Sequence, residues 1–191
     1  MKTLIINANP KKNSFSEALS QQYYKGATEN GSVAELIHLH ELDFEPVLRV
    51  NPKEQERESQ DIIDIRKKIS EADHLVFVFP VWWGTYPALL KGFIDNTFVS
   101  GFGFKYRDNS LRWDKLLKGK SARLIITMDT PKWYYNIIFG KPAINSMKKC
   151  VLKFCGISPV KTTVFTPVKK STQTERSKWL NKCYTLGYKG K

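Results

Sequence analysis

The sequence predicts an α/β protein: one parallel sheet with helices packed on both faces. Three observations along its 191 residues carry that prediction. Short apolar runs rich in β-branched residues alternate with segments of helical period. One run, Leu75 to Phe79, is apolar throughout, which is the pattern of a strand buried on both faces. Behind it, Pro80 ends the hydrogen-bond ladder, since proline has no N–H to give. Trp82, Trp83 and Gly84 then form a loop, and Leu89, Leu90, Phe93, Ile94 and Phe98 recur at helical spacing. Strand, aromatic loop and helix make half of a βαβ unit. In open sheets of this kind, ligands bind at the carboxyl ends of strands where the strand order reverses. Two adjacent indoles placed there point to a flat aromatic ligand. Neighbouring residues of an extended segment face opposite ways, so the two cannot both fill one core.

The other elements follow in order. Lys2 to Asn7 reads as a first buried strand with the core LIIN. Ala8 to Asn13 has turn chemistry, and Ser14 with Glu17 fits a capping box that starts a helix to about Thr28. Asn30-Gly31 stops that helix. Val33 to Leu39 is a second strand, Leu42 to Pro52 is irregular, and Glu54 to Ala72 is a charged helical crossover. Gly101 to Lys120 is too long to be a passive link. Ala122 to Thr127 is a fourth strand, and Asp129 to Pro142 is a loop dense in Trp, Tyr and Phe. Ala143 to Cys155 is helical, Pro159 to Phe165 a fifth strand, and Thr172 to Leu186 a last helix. One domain of this length buries a full core.

Composition narrows the function. No apolar run approaches the roughly 20 residues that span a bilayer. The beginning MKTLIINANP lacks the pattern of a secretory signal. The three cysteines, Cys150, Cys155 and Cys183, have no metal spacing and imply a reducing, cytoplasmic setting without disulfides. No metal site is expected. Net charge is +13, divided unevenly: −3 over residues 1–104 and +16 over residues 105–191. A solubilising surface accounts for scattered lysines of this kind, and no like-charge block or stacking pattern marks nucleic-acid binding.

The first βα turn, Asn9 to Ser16, ends at a helix N-terminus, where free N–H groups and the helix dipole favour an anion. It is neither a Walker loop nor a GxGxxG fingerprint, and Ser14 there also reads simply as a helix cap. Asp129 reads as a turn or capping residue. His38, His40 and His74 lie on or beside early strands and read as structural.

The stretch FPVWWGTYPALLKGFIDNTFVSGFGFKY, with the opening LIINANP and NSFS, EADHLVFVFP, and LKFCGI near Phe154, resembles the NAD(P)H:quinone oxidoreductases of DT-diaphorase type. That family includes bacterial drug-activity modulators and the ancillary subunits of potassium-efflux antiporters. The resemblance implies a flavodoxin-like three-layer sandwich, with five parallel strands in the order 2-1-3-4-5, as a single domain over residues 1–191.

It also implies FAD, with FMN as the rival cofactor, and NADPH or NADH as hydride donor to a quinone or similar acceptor. On this pattern Ser14, Phe15 and Ser16 meet the flavin phosphates, with Asn9 standing where the family has a histidine. Pro80, Val81, Trp82, Trp83 and Gly84 lie against the ring, with Trp82 and Trp83 at its edge. Thr127, Asp129 and Thr130 lie near its pyrimidine edge, although the family commonly has two glycines at the latter two positions. Tyr135, or Tyr134 beside it, stabilises charge near the flavin O2, and Phe104 and Tyr106 line the other subunit's pocket in a homodimer. A single slot for flat rings implies ping-pong exchange. The +16 half of the chain leads us to expect a preference for NADPH. The rival from another class is a flavin-containing regulatory subunit of a potassium-efflux transporter.

Overall fold

The structure, a computed structural model, describes residues 1–49 and 58–190. Its elements are β1 Lys2–Asn7, α1 Phe15–Glu29, β2 Val33–His38, α2 Gln60–Glu71, β3 His74–Pro80 and α3 Ala88–Thr97. A short ribbon follows, β4 Phe104–Tyr106 with β5 Trp113–Lys115, and then β6 Ser121–Thr127 and α4 Lys132–Ile137. The chain continues through α5 Pro142–Asn145, a π-helical stretch Ser146–Leu152 and α6 Lys153–Cys155 to β7 Val160–Phe165 and α7 Gln173–Tyr188.

Five strands form one sheet in the order β2-β1-β3-β6-β7, every pairing parallel. With the β4–β5 ribbon set apart, this is the expected order. All seven residues of β3 are buried, as its unbroken apolar run required. Alternation divides the strand residues between two cores. Ile5, Val76, Val78, Ile125 and Phe165 face α1 and α7, whereas Leu4, Ile6, Phe77, Phe79 and Ile126 face α2, α3 and the helical segments after β6.

Helices α1 and α7 cross at two glycines. A Cβ on Gly26 would lie 2.1 Å from the Tyr184 carbonyl oxygen, and one on Gly187 would lie 2.1 Å from that of Tyr23. Only hydrogen fits at either position. The close crossing fixes where the N-terminus of α1 stands relative to the sheet.

Four local expectations are corrected. The connection from Gly101 to Lys120 contains the antiparallel ribbon, in which Tyr106 pairs with Trp113. The aromatic loop after Asp129 contains α4, which begins behind Pro131. Pro131 fixes φ in the helical range and loses no hydrogen bond as the residue before a first turn. Ser14 caps α1 by accepting from the Glu17 N–H, but the Glu17 carboxylate reaches the Asn13 N–H, so the box is not the reciprocal one. The helix expected from Glu54 is observed from Gln60. Its first residues, and the irregular stretch to Pro52, fall partly at 50–57, outside the described residues.

Candidate functional site

A cleft of about 300 Å³ opens at the carboxyl ends of β1, β3 and β6. It lies where the order reverses between β1 and β3, the expected position for a ligand. Asn9, Phe15, Ser16, Pro80, Val81, Trp82, Thr127 and Asp129 all line it. Lys11, Met128 and Val168 line it as well.

One wall is the turn that opens α1. Asn9 is buried, its side-chain oxygen accepts from the Lys11 N–H at 3.0 Å, and its amide nitrogen lies 3.4 Å from Ser16 Oγ. Ser16 Oγ lies 3.2 Å from Thr127 Oγ1. Asn9, Ser16 and Thr127 thus form one polar chain across β1, α1 and β6. The α1 helix is 15 residues long, with unpaired N–H groups and a positive dipole end at this wall. His40 supports the turn, its ring nitrogen 3.3 Å from the Asn9 carbonyl oxygen.

The facing wall is the aromatic turn after β3. Trp82 and Thr85 exchange backbone hydrogen bonds of 2.8 and 3.0 Å. The two central residues, Trp83 and Gly84, have φ of 50° and 79°. That is the backbone of a type I′ turn, which suits glycine and strains a bulky residue by about 1–2 kcal/mol. The strain is held at the rim of the cleft, as at many functional sites. The two tryptophans part company here: Trp82 lines the cleft with the Lys11 ammonium 5.7 Å from its ring centre, and Trp83 stands wholly in solvent. Trp83 is therefore not part of the cleft wall in this chain.

The resemblance implied that Tyr135 stabilises charge near the flavin O2. In the structure its side chain is fully buried, and its hydroxyl donates to the Gly84 carbonyl at 3.2 Å and accepts from the Ala143 N–H at 3.0 Å. Burial pushes its pKa up, against the pull of backbone N–H groups of Ala143 and Ile144. With its one proton committed to Gly84, Tyr135 ties the aromatic turn to the start of α5. Tyr134 is half-exposed on the outer side, in edge contact with Trp133 and Phe139.

Asp129 is turned aside, as a turn residue would be. One oxygen accepts from the Lys169 N–H at 2.6 Å, and the other lies 3.9 Å from the Lys169 ammonium. Thr130 holds the neighbouring segment through its carbonyl, which accepts from Thr166 Oγ1 at 2.6 Å. Ser14 acts as the α1 cap.

Phe104 and Tyr106 lie elsewhere. Phe104 packs edge-on against Phe154 and Tyr106, and lines a second cavity of about 650 Å³ with Tyr86, Phe98 and Phe154. Neither touches the cleft of its own chain. The larger cavity is the more capacious, but the helix N-terminus and the strand-order reversal belong to the cleft.

Lys11, Met128 and Val168 of the cleft lining escaped sequence reading, as did Arg176, which packs on the lining residue Phe15. Lys11 lay within the turn already singled out. Arg176 sits 5.7 Å from the Phe15 ring centre and is held by Ser171 Oγ at 2.9 Å and the Val168 carbonyl at 3.2 Å. Only the packing of α7 on α1 brings it there. The histidines are structural: His38 bonds Asn7, and His74 bonds Ser121 at 2.8 Å. Among the described residues no acidic, histidine and cysteine cluster could hold a metal. All three cysteines are free.

The chain matches a family model described as flavodoxin-like fold over residues 1–184. An uncharacterized NAD(P)H oxidoreductase of Haemophilus influenzae is 31% identical, over 86% of this chain and 83% of that protein. An FMN-dependent NADH:quinone oxidoreductase of Caldicellulosiruptor bescii is 32% identical, over 84% of each. Some relatives are longer: the match takes in 60% of a ribosyldihydronicotinamide dehydrogenase-like protein of Penicillium crustosum. The crystal structure of Smu.1420 from Streptococcus mutans superposes with a TM-score of 0.86 at 34% identity, covering 99% of this chain and all of that one. The fold, the cleft at its switch point and these relatives agree: the chain belongs to the flavodoxin-like NAD(P)H:quinone oxidoreductase family.

Proposed function

We infer that this chain is a flavin-dependent NAD(P)H:quinone oxidoreductase. The observation that carries the reading is the meeting of the α1 N-terminus and the Trp82 turn across one cleft at the strand-order reversal. The residues fit a flavin. Free N–H groups at the start of α1, with Lys11 and Arg176 nearby, would hold its phosphate. Trp82 offers an apolar edge for the ring, and the Ser16–Thr127 pair supplies hydroxyls beneath it. Bound flavin would supply the chemistry, accepting hydride from the nicotinamide and passing two electrons to a quinone.

The protein's own contribution is position and charge. Tyr135 holds the aromatic turn in place, and the Asp129 carboxylate is answered by Lys169 at the cleft's edge. Phe104 and Tyr106 would reach a cleft only from a second chain, so a homodimer belongs to this proposal, as does a cytoplasmic location. The relatives are named as reductases, so the transporter-subunit reading is not favoured.

Steady-state reduction of a water-soluble quinone by NADPH and NADH, with and without added flavin, tests the reading. Turnover that depends on flavin is expected, and none with either donor would overturn it. Chromatography of the released flavin decides between FAD, expected from the sequence, and FMN, named for the C. bescii relative.

A further inference from the structure

Beneath the turn that opens α1, two asparagines and two histidines are joined by hydrogen bonds. Asn7 and His38 end β1 and β2 as in-register neighbours. A single helical turn, Leu39–Glu41, then brings His40 beside His38, with the ring centres 5.5 Å apart. Asn7 is fully buried, and Asn9 is buried in the cleft wall. The Asn7 side chain meets the Asn9 backbone N–H at 3.3 Å and His38 Nδ1 at 2.9 Å. The Asn9 carbonyl oxygen lies 3.3 Å from His40 Nδ1. Both backbone groups of Asn9 are thus tied to a histidine, one through Asn7 and one directly.

The donors and acceptors allow one assignment. A backbone N–H only donates, so the Asn7 atom that meets it is the amide oxygen, and the amide nitrogen faces His38. That nitrogen only donates, so His38 Nδ1 accepts and the ring carries its proton on Nε2. A carbonyl only accepts, so His40 Nδ1 carries a proton. The two rings therefore answer acid differently. A further proton on His40 goes to Nε2, where Glu41 Oε1 stands 3.8 Å away, and the bond to Asn9 survives. A further proton on His38 goes to Nδ1 and sets donor against donor. Asn7 must then turn its amide over, which takes the oxygen from the Asn9 N–H and leaves a buried donor unpaired. Among the described residues Glu41 is the acidic group within ion-pair reach of either ring. Lys11, on the turn above, lies over Trp82, and α1 contributes the Ser16 hydroxyl beside the Asn9 amide. Two charged rings at this spacing would repel, so the histidines titrate as a pair.

We propose that His38 is a positioning residue for the cofactor. Neutral, it fixes the Asn9 peptide at the cleft turn through Asn7, and protonated, it releases that peptide, so acid loosens flavin. The effect on flavin rests on the flavin reading of the cleft, whereas the link from His38 to Asn9 does not.

Two measurements on the full chain keep these apart. Long-range proton–nitrogen NMR of the flavin-free protein at about pH 8 should show His38 with its proton on Nε2 and His40 with its proton on Nδ1. As pH falls to about 5, across the range in which histidine changes charge, the Asn9 amide resonance should move with the His38 ring. A proton on His38 Nδ1 at the higher pH, or an Asn9 amide that ignores the His38 titration, overturns the proposal. The second measurement is titration with FAD over the same range. FAD is the probe because its diphosphate does not titrate there, whereas a phosphate monoester such as that of FMN does, at about pH 6. The Kd for FAD should rise roughly tenfold between the two ends, since one competing proton changes it by at most about tenfold per pH unit. His38→Leu should bind weakly throughout. His38→Asn keeps an acceptor oxygen in the place of Nδ1 and takes up no proton, so it should restore the affinity found at high pH and flatten the profile. Equal pH dependence in wild type and His38→Asn overturns the proposal. If neither FAD nor FMN binds at any pH while the Asn9 amide still follows His38, the flavin reading fails and the link from His38 to Asn9 stands.

Discussion

Replacing Tyr135 by phenylalanine removes one oxygen atom and separates two accounts of this site. In the structure that oxygen donates to the Gly84 carbonyl and accepts from the Ala143 N–H. Its loss leaves the Ala143 N–H without the hydroxyl that accepts it and the Gly84 carbonyl without its donor. A hydrogen bond of this kind contributes about 0.5–1.5 kcal/mol net, and an orphaned buried group costs about 1–3 kcal/mol. Tyr135→Phe should therefore cost about 2–4 kcal/mol. In a chain of this size each kcal/mol moves Tm by about 2–4 °C, so a fall of roughly 4–16 °C is expected. Thermal unfolding of the flavin-free protein, followed by circular dichroism, reads it without involving catalysis. Flavin affinity should fall too, because the strained Trp83–Gly84 turn loses its tether. Once flavin is saturating, flavin reduction measured by stopped flow should stay near the wild-type rate. The reasoning is refuted if Tm is unchanged while flavin reduction slows roughly tenfold or more: Tyr135 would then act on the reacting atoms, as the sequence alone led us to expect.

Three further outcomes follow from the same geometry. Gly26→Ala places a methyl group 2.1 Å from the Tyr184 carbonyl oxygen, so α7 must back away from α1. The overpacking should cost about 1–3 kcal/mol in urea titration, and an unchanged midpoint would mean that the crossing is looser than described. His74 is buried beside Ser121, and burial, then Arg123 and Lys161, lower its pKa from 6.5 to about 4. The unfolded chain binds this proton first, so its contribution is intact above about pH 6.5 and lost as pH falls to about 4. At about 1.36 kcal/mol for each pKa unit this is about 3 kcal/mol, and His74→Asn should flatten that part of the stability–pH curve. Finally, a single slot beside Trp82 admits one flat substrate at a time. Initial-rate plots at several quinone concentrations should run parallel, and intersecting lines would show that both substrates bind together.

The sheet was legible because a doubly buried parallel strand has few readings. Leu75 to Phe79 and Ala122 to Thr127 each came within a residue or two of β3 and β6. The cleft's two walls were legible for a similar reason, since turn chemistry before a helix and paired indoles after a strand are local signals. What was not legible depends on contacts between distant segments. Nothing local tells Trp82 from Trp83, because a type I′ turn decides which indole faces the cleft. Nothing near Tyr135 announces Gly84 or Ala143 as partners of its hydroxyl. Arg176 comes beside Phe15 only through the α1–α7 crossing, and α4 hid in a loop because its six residues are too few to show a period.

The most direct test of the flavin account is the visible spectrum of the purified protein under anaerobic conditions. Bound flavin absorbance should be present, or appear on adding FMN or FAD in stoichiometric amount. It should bleach on adding NADPH or NADH and return when a quinone is added. A protein that remains colourless, and whose tryptophan fluorescence ignores both flavins, would contradict the assignment of the cleft.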